Sequence, residues 1–95
     1  MYRHRPGDKE RMMLRMTRSG SAEGAVLLLE GKLTDPWTDE LRTEVARDGR
    51  IRRLDLSGLS YVDAGGARLL HQLERRGVEL FGASAFVRGL LDLPD

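Results

Sequence analysis

Few side chains in this chain are of the types that carry out covalent or metal chemistry. The sequence contains two histidines, His4 and His71, and no cysteine. Neither histidine belongs to a metal-binding motif, and no G-x-S-x-G segment supplies a nucleophilic serine for a triad. Without a thiol, disulfide scaffolds and thiolate metal sites are excluded. The sequence therefore predicts no catalytic residue, no metal site, no cofactor and no enzymatic activity.

The segment Asp63-Ala64-Gly65-Gly66 lies where a predicted strand and loop lead into the start of a predicted helix. Free N–H groups and the helix dipole favour an anion at such a position. The segment lacks both the G-x-G-x-x-G pattern and the lysine of a phosphate-binding loop. Two interpretations stay open: a small-anion or nucleotide site, or glycines that let the helix pack closely on the sheet.

The basic residues are unevenly distributed along the chain. Of 16 basic and 15 acidic residues, the segment 1–11 holds four basic and two acidic ones, which leaves 12 and 13 for the rest. A nucleic-acid-binding domain needs a predominantly basic surface, so no nucleic-acid partner is predicted. Four arginines lie between residue 47 and residue 53. We expect Arg47 to complement the negative end of the first helix and the other three to be solvated or paired with Asp48 and Asp55, in preference to a basic docking patch.

The first part of the chain has the pattern of a β-hairpin. Met12, Leu14 and Met16 alternate with polar residues, as in a half-buried strand. Turn-forming residues at 19–24 separate this strand from the apolar run 25–29, which is too short and continuous for an amphipathic helix. The run predicts a central strand that pairs antiparallel with the first.

Three helices and two further strands are predicted after the hairpin. The first helix is expected to be capped by Thr34 or Asp35 and to end at Gly49. The second is capped by Asp63 and ends in the cationic turn before Gly77, and the third is capped by Ser84. The predicted buried positions of the three helices are, in order, Trp37, Leu41 and Val45; Ala67, Leu69, Leu70 and Leu73; Phe86, Val87, Leu90 and Leu91. Strands on Ile51, Leu54 and Leu56 and on residues 78–83 alternate with them.

This order, β-β-α-β-α-β-α, predicts a single small α/β domain with a mixed sheet of about four strands and helices on one face. We place the domain at residues 12–95, with Pro94 ending the last helix, and interpret residues 1–11 as a mobile charged tail. The longest apolar run has five residues, where a membrane helix needs about twenty, and no secretory signal is recognisable. No membrane insertion and a cytoplasmic location are predicted.

Residues 54–70, LDLSGLSYVDAGGARLL, resemble the signature of STAS domains, the family of sulfate-transporter and anti-sigma-factor-antagonist modules, roughly DLSGV-x-x-x-DSSGL-x-x-L. The flanking positions Leu28-x-x-Gly31-x-Leu33, residues 77–80 and Ser84-x-x-Val87 agree with the family as well. The resemblance extends from Met12 to about Leu93. It implies a non-enzymatic protein-interaction module.

In antagonist members of the family, the N-terminus of the second helix docks on a kinase-type anti-sigma factor, which phosphorylates the first serine after the aspartate. Here Ala64 occupies that position and Gly65 occupies that of the second serine, so the resemblance implies an unswitched regulator of transcription. A phosphate added inside an interface would disrupt it by charge and desolvation, and Ala64 has no hydroxyl to accept one. The implied partner-binding residues are Ser57, Ser60, Tyr61, Asp63, Ala64, Gly65, Gly66 and Arg68.

A second function is compatible with the resemblance. Compact family members serve as small cytoplasmic subunits of bacterial lipid-transport ABC complexes, and the short C-terminal part of this chain is similar to theirs. In that case the partner would be the ABC transporter ATPase in place of an anti-sigma factor kinase. The sequence leaves the partner and the oligomeric state open.

Overall fold

Seven elements follow one another in the predicted order in the computed structural model, which describes residues 14–21 and 24–91. They are β1 (Leu14–Ser21), β2 (Gly24–Leu33), α1 (Trp37–Arg47), β3 (Ile51–Val62), α2 (Ala64–Arg75), β4 (Glu79–Phe81) and α3 (Ala85–Leu91). Three predicted features lie outside the described residues: the tail 1–11, the strand position Met12 and the helix end at Pro94. No helix among the described residues has the length and apolar character needed to cross a bilayer.

The four strands form one mixed sheet in the order β1-β2-β3-β4. β1 and β2 are antiparallel, with Leu14 opposite Gly31 and Ser21 opposite Gly24. β3 runs parallel to β2, and β4 runs parallel to β3. The predicted hairpin, the central position of β2 and the mixed sheet are confirmed.

The core lies between one face of the sheet and the three helices. Leu27 of β2 is paired with Leu54 of β3, which in turn is paired with Leu80 of β4, so the three side chains share that face. Leu27 and Leu54 are almost fully buried, and burial of each contributes about 1.5–3 kcal/mol. The next row on the opposite face, Leu28 and Asp55, is only half-buried. The prediction of helices on one face and a partly open second face is confirmed.

Two segments predicted as turn or loop are strand. β1 continues to Ser21 and pairs as far as Gly24, so the turn after it is shorter than predicted. β3 continues through Val62, because β2 extends past Gly31 to Leu33 and pairs with it throughout. Register shifts occur in the pairing of the two strands, and the buried residues along β3 lie three, two, three and three positions apart. The alternation that signals a strand is lost there, although the pairing is not.

The start of α1 differs from the prediction. Its N-cap is Pro36, no side chain caps it, and the Asp35 carboxylate instead accepts the hydroxyl hydrogen of the buried Thr38 at 2.5 Å. Trp37, predicted as a core anchor, is half-buried. Phe86 was also predicted to be on a buried helix face, but its side chain is 61% exposed, because α3 buries mainly Val87 and Leu91. The predicted Ser84 cap of α3 is confirmed by its hydroxyl, which accepts the Val87 N–H at 3.2 Å.

Candidate protein-interaction surface

Asp63 is the single residue between β3 and α2, and it sets the direction in which the helix leaves the sheet. Its backbone is extended, and Oδ1 of its carboxylate accepts the N–H of Gly66 at 2.7 Å. This contact satisfies one of the N–H groups that the first turn of a helix leaves without a partner. The predicted N-cap is therefore confirmed.

The same residue also fixes the loop between β2 and α1. Oδ2 of Asp63 accepts the backbone N–H of Asp35 at 3.3 Å, and the backbone N–H of Asp63 donates to the Leu33 carbonyl at 3.2 Å. The loop that begins after Leu33 is thereby held beside the N-terminus of α2. Asp35 is a residue of this region that sequence reasoning missed, since it was interpreted as a helix cap and lies 28 residues from Asp63 in the chain.

The two glycines of α2 differ in their surroundings. At Gly66, which is buried, an added Cβ would lie 2.5 Å from the Leu33 carbonyl oxygen and 2.9 Å from the Val62 side chain. At Gly65 it would lie 3.6 Å from Oδ1 of Asp63, an ordinary contact. Gly66 lets α2 pack directly on the sheet, in agreement with the packing interpretation of the motif. The prediction that Gly66 itself contacts a partner does not fit its burial.

Ala64, the first residue of α2, is exposed to solvent. Arg68 follows one helical turn later on the same side of the helix and is exposed as well. Tyr61, at the end of β3, is 40% exposed. These three exposed residues and the half-buried Asp63 and Gly65 form a surface that we call the α2 N-terminal surface.

The two serines of β3 contribute differently. Ser60 is exposed, and its hydroxyl donates to the Gly31 carbonyl at 3.1 Å, which ties it to the neighbouring strand. Ser57 lies five residues before Val62, roughly 16 Å back along the strand. An added Cβ on Gly82 would lie 3.4 Å from the Ser57 Cβ, so Ser57 sits beside the end of β4. The structure does not bring Ser57 together with the α2 N-terminus, contrary to the prediction that groups them.

The electrostatics of the α2 N-terminus disfavour an anion. The Asp63 carboxylate already occupies the position from which an anion would accept the Gly66 N–H. The Asp35 carboxylate lies nearby, 4.0 Å from the position of a Cβ on Gly65. A phosphate would meet two negative charges here, so the geometry argues against the small-anion or nucleotide interpretation.

Three of the four arginines between residues 47 and 53 form ion pairs, and the fourth, Arg52, is exposed. Arg50 pairs with Asp48 at 3.2 Å, and Arg18 of β1 reaches the same carboxylate at 2.5 Å. The pKa of Asp48 is held below its ordinary value. The largest cause is the hydrogen bond from the backbone N–H of Arg50, and the two guanidinium groups add to it. Arg53 pairs with Glu79 at 3.3 Å and not with Asp55. The predicted pairing is confirmed for Asp48 and wrong for Asp55, whose carboxylate accepts the Ser57 N–H at 3.0 Å.

Comparison with known proteins identifies the fold. No protein-family model matches the chain, and no curated protein is significantly similar to it in sequence. Among solved structures, the chain is similar to the anti-sigma factor antagonist SpoIIAA in its unphosphorylated form, with a TM-score of 0.62 at 17% sequence identity. The match covers 82% of this chain and 78% of that one. The chain therefore has the STAS fold that its motif predicts.

Proposed function

We propose that the chain is a non-enzymatic protein-interaction module that binds a kinase-type anti-sigma factor through its α2 N-terminal surface. Binding is constitutive, because position 64 has no hydroxyl that a kinase could phosphorylate. The observation that supports this proposal is the exposure of Ala64 on a fold shared with an anti-sigma factor antagonist.

The local geometry suits a close contact with a partner. Ala64 and Gly65 present almost no side chain, so a partner backbone can approach the first turn of α2. Tyr61 and Arg68 supply an aromatic ring and a guanidinium group beside them, and both residue types are enriched where interfaces are strong. The Asp63 contacts hold this turn in place before binding, so less conformational entropy is lost when a partner binds.

The test introduces a charge at the centre of the proposed contact. Ala64→Glu places a carboxylate where the family places a phosphate, and it should weaken binding to the anti-sigma factor of the same organism at least tenfold, about 1.4 kcal/mol. Isothermal titration calorimetry with both purified proteins measures the affinity.

Ala85→Glu is the matched control. Ala85 is also exposed and is also the first residue of a helix, so the substitution adds the same charge in the same local setting. It should leave the affinity unchanged. Equal affinities of the Ala64→Glu variant and the unmodified chain would show that the α2 N-terminal surface is not the binding site. Stable binding to an ABC transporter ATPase and none to the anti-sigma factor would refute the proposed partner.

A further inference from the structure

Helices α1 and α2 lie side by side, and their facing surfaces enclose a cleft of about 180 Å³. We call it the α1–α2 cleft. Its apolar residues are the buried Leu69 and Leu73, the half-buried Val45 and Val78, and the exposed Ala46. The exposed arginines Arg42 and Arg76 border it, one from each helix region.

The size of the cleft limits what it holds. Small-molecule pockets usually have about 300–1,000 Å³, so a nucleotide or cofactor does not fit. An engineered apolar cavity of about 150 Å³ accommodates benzene, which has the dimensions of a phenylalanine ring. The α1–α2 cleft therefore matches a single apolar side chain.

The charges around the cleft favour acidic residues on either side of the bound side chain. None of the residues that line it is acidic. Arg42 donates from Nη1 to Asp39 at 2.6 Å, and a guanidinium group has further N–H groups to offer. The Arg76 side chain makes no ion pair within the described part of the chain. A carboxylate that approaches the cleft thus meets a guanidinium group in position for a charge-assisted, bidentate contact.

We propose that the α1–α2 cleft is a second binding site, which takes a leucine or phenylalanine from an acidic peptide segment of a protein partner. The carboxylate next to that side chain pairs with Arg76, and a second one pairs with Arg42. The site is separate from the α2 N-terminal surface, since Arg76 follows Ala64 by twelve residues, roughly 18 Å along a helix. It is independent of the function proposed above.

The test is an NMR titration of the full-length, ¹⁵N-labelled chain. The probe is an acetylated and amidated hexapeptide in which two leucines alternate with aspartates. We expect the largest amide shift changes at Val45, Leu73 and Arg76. The same peptide with lysines in place of the aspartates should produce none.

Two substitutions of neighbouring arginines separate a specific site from general charge attraction. Arg76→Glu should weaken peptide binding at least tenfold. Arg75→Glu reverses the charge of an exposed arginine that does not line the cleft, and it should change the affinity less than threefold. Ala46→Leu, which adds bulk to the lining of the cleft, should also weaken binding.

Three results would overturn this proposal. They are the absence of shift changes at millimolar peptide, an equal loss of affinity in the Arg75→Glu and Arg76→Glu variants, and shift changes in the cleft with anionic phosphatidylglycerol vesicles but not with the peptide. Thermal unfolding of each variant establishes that it is folded.

Discussion

The packing of α2 on the sheet depends on the missing side chain of Gly66, and two glycine-to-alanine substitutions test this. In Gly66→Ala the new methyl group would lie 2.5 Å from the Leu33 carbonyl oxygen and 2.9 Å from carbon atoms of Leu33 and Val62. A backbone carbonyl in a paired strand cannot move aside cheaply, so the helix must shift. Overpacking of this kind costs about 1–3 kcal/mol.

Gly65→Ala is the matched control with the opposite expected sign. Its methyl group has only ordinary contacts, the nearest at 3.6 Å, and alanine restricts the unfolded chain more than glycine does. We expect a gain of about 0.4–1 kcal/mol. Urea unfolding followed by circular dichroism measures both free energies, and in a domain of this size 1 kcal/mol corresponds to about 4–8 °C in the midpoint of thermal unfolding. A Gly66→Ala variant as stable as the unmodified chain would refute the close-packing argument.

Three further predictions concern named carboxylates and the start of α2. Asp63→Ala removes the acceptor of two backbone N–H groups and should lower the free energy of unfolding, measured by urea titration, by about 1–2 kcal/mol. Asp63→Asn keeps an acceptor oxygen and should retain most of the stability. Equal losses in the two variants would contradict the capping role. Because the pKa of Asp48 is lowered in the folded chain, its charged form stabilises the fold above the ordinary carboxyl pKa of about 3.9, and this contribution is lost as the pH falls through the lower folded value. The difference in unfolding free energy between the unmodified chain and Asp48→Asn should therefore disappear on acidification; a difference that stays constant with pH would contradict it. Ala64→Ser should make the chain a substrate of the anti-sigma factor kinase in a radiolabelled-ATP assay, with Gly65→Ser unmodified as the control; phosphorylation of both or of neither would show that docking differs from the proposal.

The parts of the fold that the sequence predicts well are those set by local interactions. The cap at Asp63, the buried stripe of α2 and its end near Gly77 all follow from contacts within a few residues, and each appears in the structure. The hairpin follows likewise from one apolar run and the turn residues before it. Helix caps and burial periodicity depend only on the nearby sequence, so one sequence suffices to find them.

The errors arise where distant segments decide the outcome. The register shifts between β2 and β3 give burial every third residue at Leu56, Leu59 and Val62, a spacing that does not indicate a strand. Thr34 or Asp35 was expected to cap α1, whereas the Asp35 N–H donates to Asp63 and its carboxylate accepts the Thr38 hydroxyl hydrogen. The Thr38 contact is local, but the Asp63 contact joins residues 28 positions apart and depends on β2 and β3 becoming neighbours. The sequence pattern holds no local sign of that arrangement.

The α2 N-terminal surface owes its shape to contacts of Leu33, Asp63 and Gly66 rather than to the side chain at position 64. Leu33 supplies the carbonyl against which Gly66 packs and also accepts the N–H of Asp63, so β2 positions the first turn of α2 through two separate contacts. Asp63 in turn holds the β2–α1 loop in place, because its carboxylate accepts the Asp35 N–H. The exposed Ala64 is therefore fixed by the sheet beneath it, and the side chain at position 64 can vary without disturbing the turn. The contacts that hold the first turn of α2 therefore do not involve the side chain at position 64.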